Sequence, residues 1–281
     1  MPLVYLNGEL VEEDDAVVSV FDHGLVTGDG VFESILVEDG SPFALAEHLA
    51  RLEQSAALIG LQAPPRPELE RGVGLVAAQS KTHRAKVRLT VTGGVGPLAS
   101  NRQDAPPTVI VALSPLGDEP AGPASVVVVP WPRSERSALV GAKTISYAEN
   151  VVALAWAEAH GADEALFLNL AGNLCEGTGS NIFVALGGRL LTPPLSAGCL
   201  AGVTRALLLE ASAAEEGEIP SASLGEVSEA FLTSTTRGVQ PISIFDGRSL
   251  GELPGPLTES AGTAFEKLAA DRRKASGALS S

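Results

Sequence analysis

The stretch from Ala142 to Thr204 constrains this chain more than any other. It reads AKTISYAENVVALAWAEAHGADEALFLN, then LAGNLCEGTGSNIFVALGGRLLTPPLSAGCLAGVT. A helix-like run gives way to short apolar strands, a small-residue turn, and a glycine-led helix start. Three groups in it carry chemistry. Lys143 sits just before the helix, where an amine acts as nucleophile and then as proton carrier. Glu176 lies in CEGTGSN between two apolar strands, where a carboxylate is costly unless paired. Gly202-Val203-Thr204 opens a helix, whose N–H groups and dipole favour a phosphate. Each has an ordinary reading as well: a surface lysine, an exposed turn glutamate, a plain capped helix.

The rest of the chain supports a mixed fold. LVYLNGELVE predicts two strands around Asn7-Gly8, and VFESILVEDGSPFAL repeats the pattern around Asp39-Gly40. Leu49, Leu52, Ala56 and Ile59 follow helical spacing up to Gly60, and a second helix is expected over 67–80. The strands AKVRLTVTGG and TVIVALSP come next. The Gly/Pro-rich run 117–125 marks a boundary, giving a smaller α+β domain over 1–120 and a larger one over 121–281. After the strand SVVVVP, Ser146 is placed to cap the helix that Gly161 closes. Further strands follow, then a helix from VTRALLLEASAAEEG, more strands, a helix over 256–272, and a tail expected to fray. Runs of strands and helices without regular βαβ alternation predict an α+β fold, not a Rossmann sheet.

Composition narrows the function. Net charge is −15 over 281 residues, which argues against nucleic acid or anionic membrane as partner. Cys175 and Cys199 lie in small or apolar runs with no CxxC, as reduced thiols of a cytoplasmic protein do. No leader and no apolar run of membrane length is read, and the four histidines lack metal-ligand spacing. The glycines of GDGVFES lack the strand–GxGxxG–helix context of a dinucleotide site. A lysine amine, a paired acid and a phosphate cradle together are what pyridoxal 5′-phosphate needs. Arg51, on the helix after Glu47-His48, offers a cation for the phosphate dianion, and Ser234-Thr235-Thr236 offers hydroxyls at a strand end.

In order and spacing these segments resemble the class IV, fold-type IV pyridoxal-phosphate family. That family includes branched-chain, D-amino-acid and (R)-amine transaminases, and aminodeoxychorismate lyase. GDGVFES at 28–34, EHLARL at 47–52, GADEALFLN at 161–169, CEGTGSNIFV at 175–184, LLTPPLSAGCLAGVTR at 190–205 and FLTSTTRGVQPI at 231–242 carry the likeness.

The resemblance implies a two-domain α+β fold with the cofactor in the cleft between domains. Lys143 matches the lysine that bears the cofactor, and Glu176 the acid on its pyridine nitrogen. Arg51, Val203, Thr204 and Thr235 match the phosphate cup, and Leu200 the residue packed on the ring. Tyr147 is our candidate for the ring hydroxyl. Glu33 matches an acid near the substrate, with Arg88 and Thr236 as further substrate contacts. Small-molecule amines and 2-oxo acids are the implied partners, and a homodimer the implied assembly. One departure stands out. Where D-amino-acid enzymes carry Thr-Arg-Gly after the domain-one strand, this chain has Thr92-Gly93-Gly94, which implies either carboxylate-poor substrates such as amines or a different clamp: Arg88, if its face points inward, or Arg133, Arg136 or Arg237. The expected activity is transamination of a D-amino acid or (R)-amine with a 2-oxo acid. Aminodeoxychorismate lyase and branched-chain L-amino-acid transamination are the alternatives.

Overall fold

A computed structural model describes residues 3–117 and 122–278. The chain divides into two compact units, one of residues 1–119 with 142–147, the other of 120–141 with 148–281. The segment bearing Lys143 therefore packs with the first unit, not with the second-half domain in which the sequence reading put it. Of the expected linker 117–125, residues 118–121 lie outside the described residues and Ala124 already opens a strand.

The first unit is built on β1 (Leu3–Leu6), β2 (Glu9–Glu12), β3 (Gly30–Glu38), β4 (Ser41–Pro42), β5 (Arg84–Thr92) and β6 (Thr108–Pro115), with helices α1 (His23–Val26), α2 (Leu45–Leu58) and α3 (Arg66–Ala77). Its sheet order is β2-β1-β6-β5-β3-β4. Asn7 and Gly8, at φ 49° and 101°, turn β1 into β2, and Asp39 and Gly40, at 49° and 76°, turn β3 into β4. Both pairs take the left-handed turn that matches strand twist, which Asn, Asp and Gly tolerate. Along β3, Val31, Ile35 and Val37 are fully buried and meet Leu49 and Leu52 of α2 and Val73 and Val76 of α3 in one core. Side chains alternate along a strand, so Phe32, Ser34 and Leu36 look the other way.

The second unit comprises β7 (Ala124–Val128), α4 (Ala148–Ala159), β8 (Glu164–Leu168), β9 (Leu174–Gly177), β10 (Asn181–Leu186), β11 (Arg189–Thr192), α5 (Val203–Ala211), β12 (Glu215–Glu216), β13 (Glu229–Ser234), β14 (Gly238–Phe245), β15 (Arg248–Ser249) and α6 (Pro256–Ala278). The strands form a mixed sheet, β12-β11-β10-β13-β14-β7-β8-β9, with β15 on β14. One face carries Leu166, Ile182, Val184, Leu232 and Ile242 into a shared core.

Several expectations shift. Glu176 belongs to strand β9, paired with Phe167 of β8, and the turn begins only after it. Ser146 does not cap α4; its hydroxyl donates to the carbonyl of Gly28 at 2.8 Å, and the helix starts at Ala148. α5 stops at Ala211, and α6 runs on through the expected fraying tail to Ala278. Residues 279–281 lie outside the described residues. No helix of the described residues is long and apolar enough to cross a membrane.

Candidate active site

In the first unit the two faces of β3 do different work. On the core face, Glu33 is completely buried. Arg51 of α2 donates to it from Nε at 2.8 Å and from Nη2 at 2.6 Å, and His48 Nδ1 lies 2.7 Å from its second oxygen. Burial by itself would raise the pKa of this carboxyl. The hydrogen bonds from Arg51 and His48 outweigh burial and hold it at about 2. Glu33, expected near the substrate, has its carboxylate on Arg51 and His48, and the strand period puts it on the face away from Phe32.

The opposite face holds the lysine. Residues 143–145 run along the free edge of β3: Phe32 N–H donates to the Lys143 carbonyl at 3.0 Å, and Ile145 N–H to Gly30 at 2.9 Å. Lys143 N–H donates to Ser55 Oγ of α2 at 3.0 Å. The Lys143 amine lies 4.4 Å from the centre of the Phe32 ring, and the Arg88 guanidinium 3.8 Å from it. Tyr147 meets the same ring edge-on at 5.2 Å. β5 flanks β3 on one side and the Lys143 segment on the other, so Phe32 stands between the two cations. Burial lowers the pKa of Arg88, while Tyr147 acts in the opposite sense. Arg88 thus lies on the face of β3 that carries Phe32 and the Lys143 amine.

In the second unit, the Glu176 carboxylate is almost fully buried and both oxygens are engaged. Arg133 Nη1 donates to Oε1 at 2.6 Å and Leu200 N–H to Oε2 at 2.9 Å. Arg133 also stacks on Phe167, 3.9 Å from its centre. An arginine N–H on one oxygen and a backbone N–H on the other are charge-assisted bonds of the stronger kind. The start of α5 lies in the same unit. Its N-cap, Gly202, is extended and no side chain caps the helix, while Val203 and Thr204 in the first turn are buried. A Cβ at Gly202 would collide with Asn181 Oδ1, so only glycine allows this approach. Asn181 Nδ2 donates to the Leu200 carbonyl at 2.9 Å, and Thr233, paired with Asn181, buries a hydroxyl with no protein partner. Thr235 and Thr236 are half-buried in the turn after β13.

The sequence reading missed His48 on Glu33 and Asn150, which accepts from Arg133 at 2.9 Å, and it considered Arg133 for a substrate carboxylate without foreseeing its bond to Glu176. No local motif marks them, because each partner is distant in sequence. Arg237, one of the arginines considered for a substrate carboxylate, is engaged by buried Glu164 at 2.8 Å. Both cysteines are free and buried. Desolvation pushes the Cys175 thiol far above its usual range and Cys199 to about 12, so neither is a reactive thiolate. Among the described residues no group of His, Cys, Asp and Glu is arranged to hold a metal ion.

Comparison with known proteins gives the family. Residues 30–245 match the family described as Amino-transferase class IV. A Methanocaldococcus jannaschii protein, provisionally named a branched-chain-amino-acid aminotransferase, is 36% identical over 272 residues, covering 91% of this chain and 94% of its own. The D-alanine aminotransferase of Bacillus licheniformis is 30% identical over 277 residues, covering 94% and 95%. A solved Mycobacterium tuberculosis structure, a hypothetical aminotransferase in its α-ketoglutarate- and PMP-bound form, superposes with a TM-score of 0.85 at 26% identity, covering 96% of this chain and 99% of that one. The chain belongs to the class IV aminotransferase family.

Proposed function

We propose that this protein is a pyridoxal-phosphate-dependent transaminase that moves an amino group between a D-amino acid, or an (R)-amine, and a 2-oxo acid. The observation that carries the reading is the pair of cations on one face of β3, with Lys143 and Arg88 to either side of Phe32. One is an amine able to bear a carbonyl cofactor, and the other a guanidinium suited to a substrate carboxylate. The solved relative bound to PMP, the aminated form of the cofactor, and to a 2-oxo acid supports it.

The residues present fit pyridoxal phosphate. Glu176, bonded by Arg133, suits a protonated pyridine nitrogen. The uncapped start of α5, with Val203 and Thr204, suits a phosphate, the group for which the family resemblance also offers Thr235 and Arg51. Leu200 would lie against the ring and Tyr147 beside its hydroxyl. When bound, the cofactor supplies an electron sink that no side chain offers. Lys143 Nζ would bear the cofactor until the incoming substrate amine displaces it; the freed amine would then take the proton from the substrate Cα and deliver it to the cofactor carbon within the same half-reaction, and the other half of the cycle would run this transfer in reverse. Arg88 and Thr236 orient the substrate. A clamp at Arg88 would favour amino acids over amines that lack a carboxylate.

A branched-chain L-amino-acid donor is the second reading, favoured by the Methanocaldococcus jannaschii relative. The hydroxyl run Ser234-Thr235-Thr236 supports the first. Single-turnover spectra decide between them. Mixing the holoenzyme with D-alanine or an (R)-amine should convert the cofactor to its aminated form, and L-leucine should not. Conversion by L-leucine alone overturns the D-preference, and release of pyruvate from aminodeoxychorismate without an acceptor establishes a lyase.

A further inference from the structure

We infer that Asn150 is a positioning residue for this reaction: it fixes the arginine that holds Glu176. The inference rests on the reading above, in which Glu176 is the acid that meets the cofactor's ring nitrogen.

Arg133 has two carboxylates within reach. Glu176 is buried and bonds Nη1 at 2.6 Å, while Glu149 is half-exposed and lies 3.4 Å from Nε. The guanidinium is planar, and Phe167, directly across the ladder from Glu176, forms its floor. Turning in that plane would swing Arg133 toward Glu149 and away from Glu176. Asn150, in the first turn of α4, opposes the swing. Its Oδ1 accepts from Arg133 Nη2 at 2.9 Å, and its Nδ2 donates to the carbonyl of Thr178, in the turn that follows Glu176. That turn is itself held, because the Thr178 N–H and hydroxyl both donate to buried Glu164.

The amide is the side chain this position requires. It must accept from a guanidinium and donate to a carbonyl at once, which sets its orientation and forbids the flipped one. An aspartate keeps the acceptor but loses the donor, and adds a third carboxylate competing for Arg133. An alanine loses both bonds. In either case Arg133 is shared away from Glu176. The proton shared between Glu176 and the ring nitrogen is then less firmly kept on the ring, because an unpaired carboxylate binds protons more readily.

The test compares wild-type, Asn150→Ala and Asn150→Asp holoproteins. The readouts are the dissociation constant for pyridoxal phosphate and the pH midpoint of the bound cofactor's visible absorption band, with far-UV circular dichroism as a check on folding. Both variants should bind the cofactor roughly tenfold more weakly, the size of one charged hydrogen bond, and show a raised pH midpoint. The effect in Asn150→Asp should equal or exceed that in Asn150→Ala although one acceptor is restored. If Asn150→Ala fails to fold, Asn150→Asp, which keeps the shape, decides alone. Folded variants with wild-type affinity and wild-type midpoint overturn the role of Asn150. A wild-type protein that binds no pyridoxal phosphate overturns the functional reading itself, so the two failures are distinguishable.

Discussion

Replacing Glu33 with glutamine tests how the first unit holds its cations. The change keeps the side chain's shape and opens no cavity, but removes the charge that Arg51 and His48 share. The structure gives two routes to the cost. The fall of the Glu33 pKa from 4.5 to about 2 corresponds to roughly 3 kcal/mol of stability at neutral pH. Deleting one partner of a buried ion pair costs roughly 3–5 kcal/mol. The figure belongs to the Glu33–His48–Arg51 triad as a unit. The sign follows from the direction of the shift. A carboxyl whose folded pKa is depressed contributes its full stabilisation above its unfolded value, near 4.5, and loses it as pH falls toward 2. Urea denaturation of the wild-type apoprotein, followed by circular dichroism, should therefore show stability declining through that window. Glu33→Gln should begin about 3 kcal/mol lower at pH 7 and lack that part of the decline. A loss below about 1 kcal/mol, the size of a neutral hydrogen bond, would refute the reasoning, as would an unchanged pH dependence.

Four further outcomes are expected. Borohydride reduction of the holoprotein followed by peptide mapping should place the pyridoxyl label on Lys143; a label on Lys81, Lys86 or Lys267 would displace it. Glu176→Gln should keep the cofactor but lower kcat by about a hundredfold or more, since a neutral amide cannot hold the ring nitrogen protonated; near-wild-type turnover would remove Glu176 from the site. Arg88→Ala should raise KM for amino acids about tenfold or more, the worth of a charged hydrogen bond, while leaving amines without a carboxylate little changed; equal effects on both would mean Arg88 only supports Phe32. Val17, Val20, Phe21, Leu25, Val95 and Leu98 of the first unit are exposed large apolar side chains, of the kind a second copy of the chain would cover. Sedimentation should show a dimer that Phe21→Asp with Leu98→Asp dissociates, and a wild-type monomer would contradict this.

What the sequence determined by itself is local. Asn7-Gly8 and Asp39-Gly40 announce hairpins because few other residues tolerate their backbone angles. Leu49, Leu52 and Ala56 announce α2 because their spacing lays them on one buried face. Lys143, Glu176 and Gly202 stood out because a rare chemistry needs residues of those types in that order. Tertiary structure decided which groups meet. One residue of register put Glu33 on the core face with Arg51 and left Phe32 beside Lys143. The segment bearing Lys143 joined the first unit by pairing along the edge of β3, a partner more than a hundred residues earlier in the chain. Arg133 reached Glu176 across 43 positions and Asn150 reached Arg133 across 17. A buried charge takes its partner from whatever the fold brings within about 3 Å, and no local periodicity encodes which residue that will be.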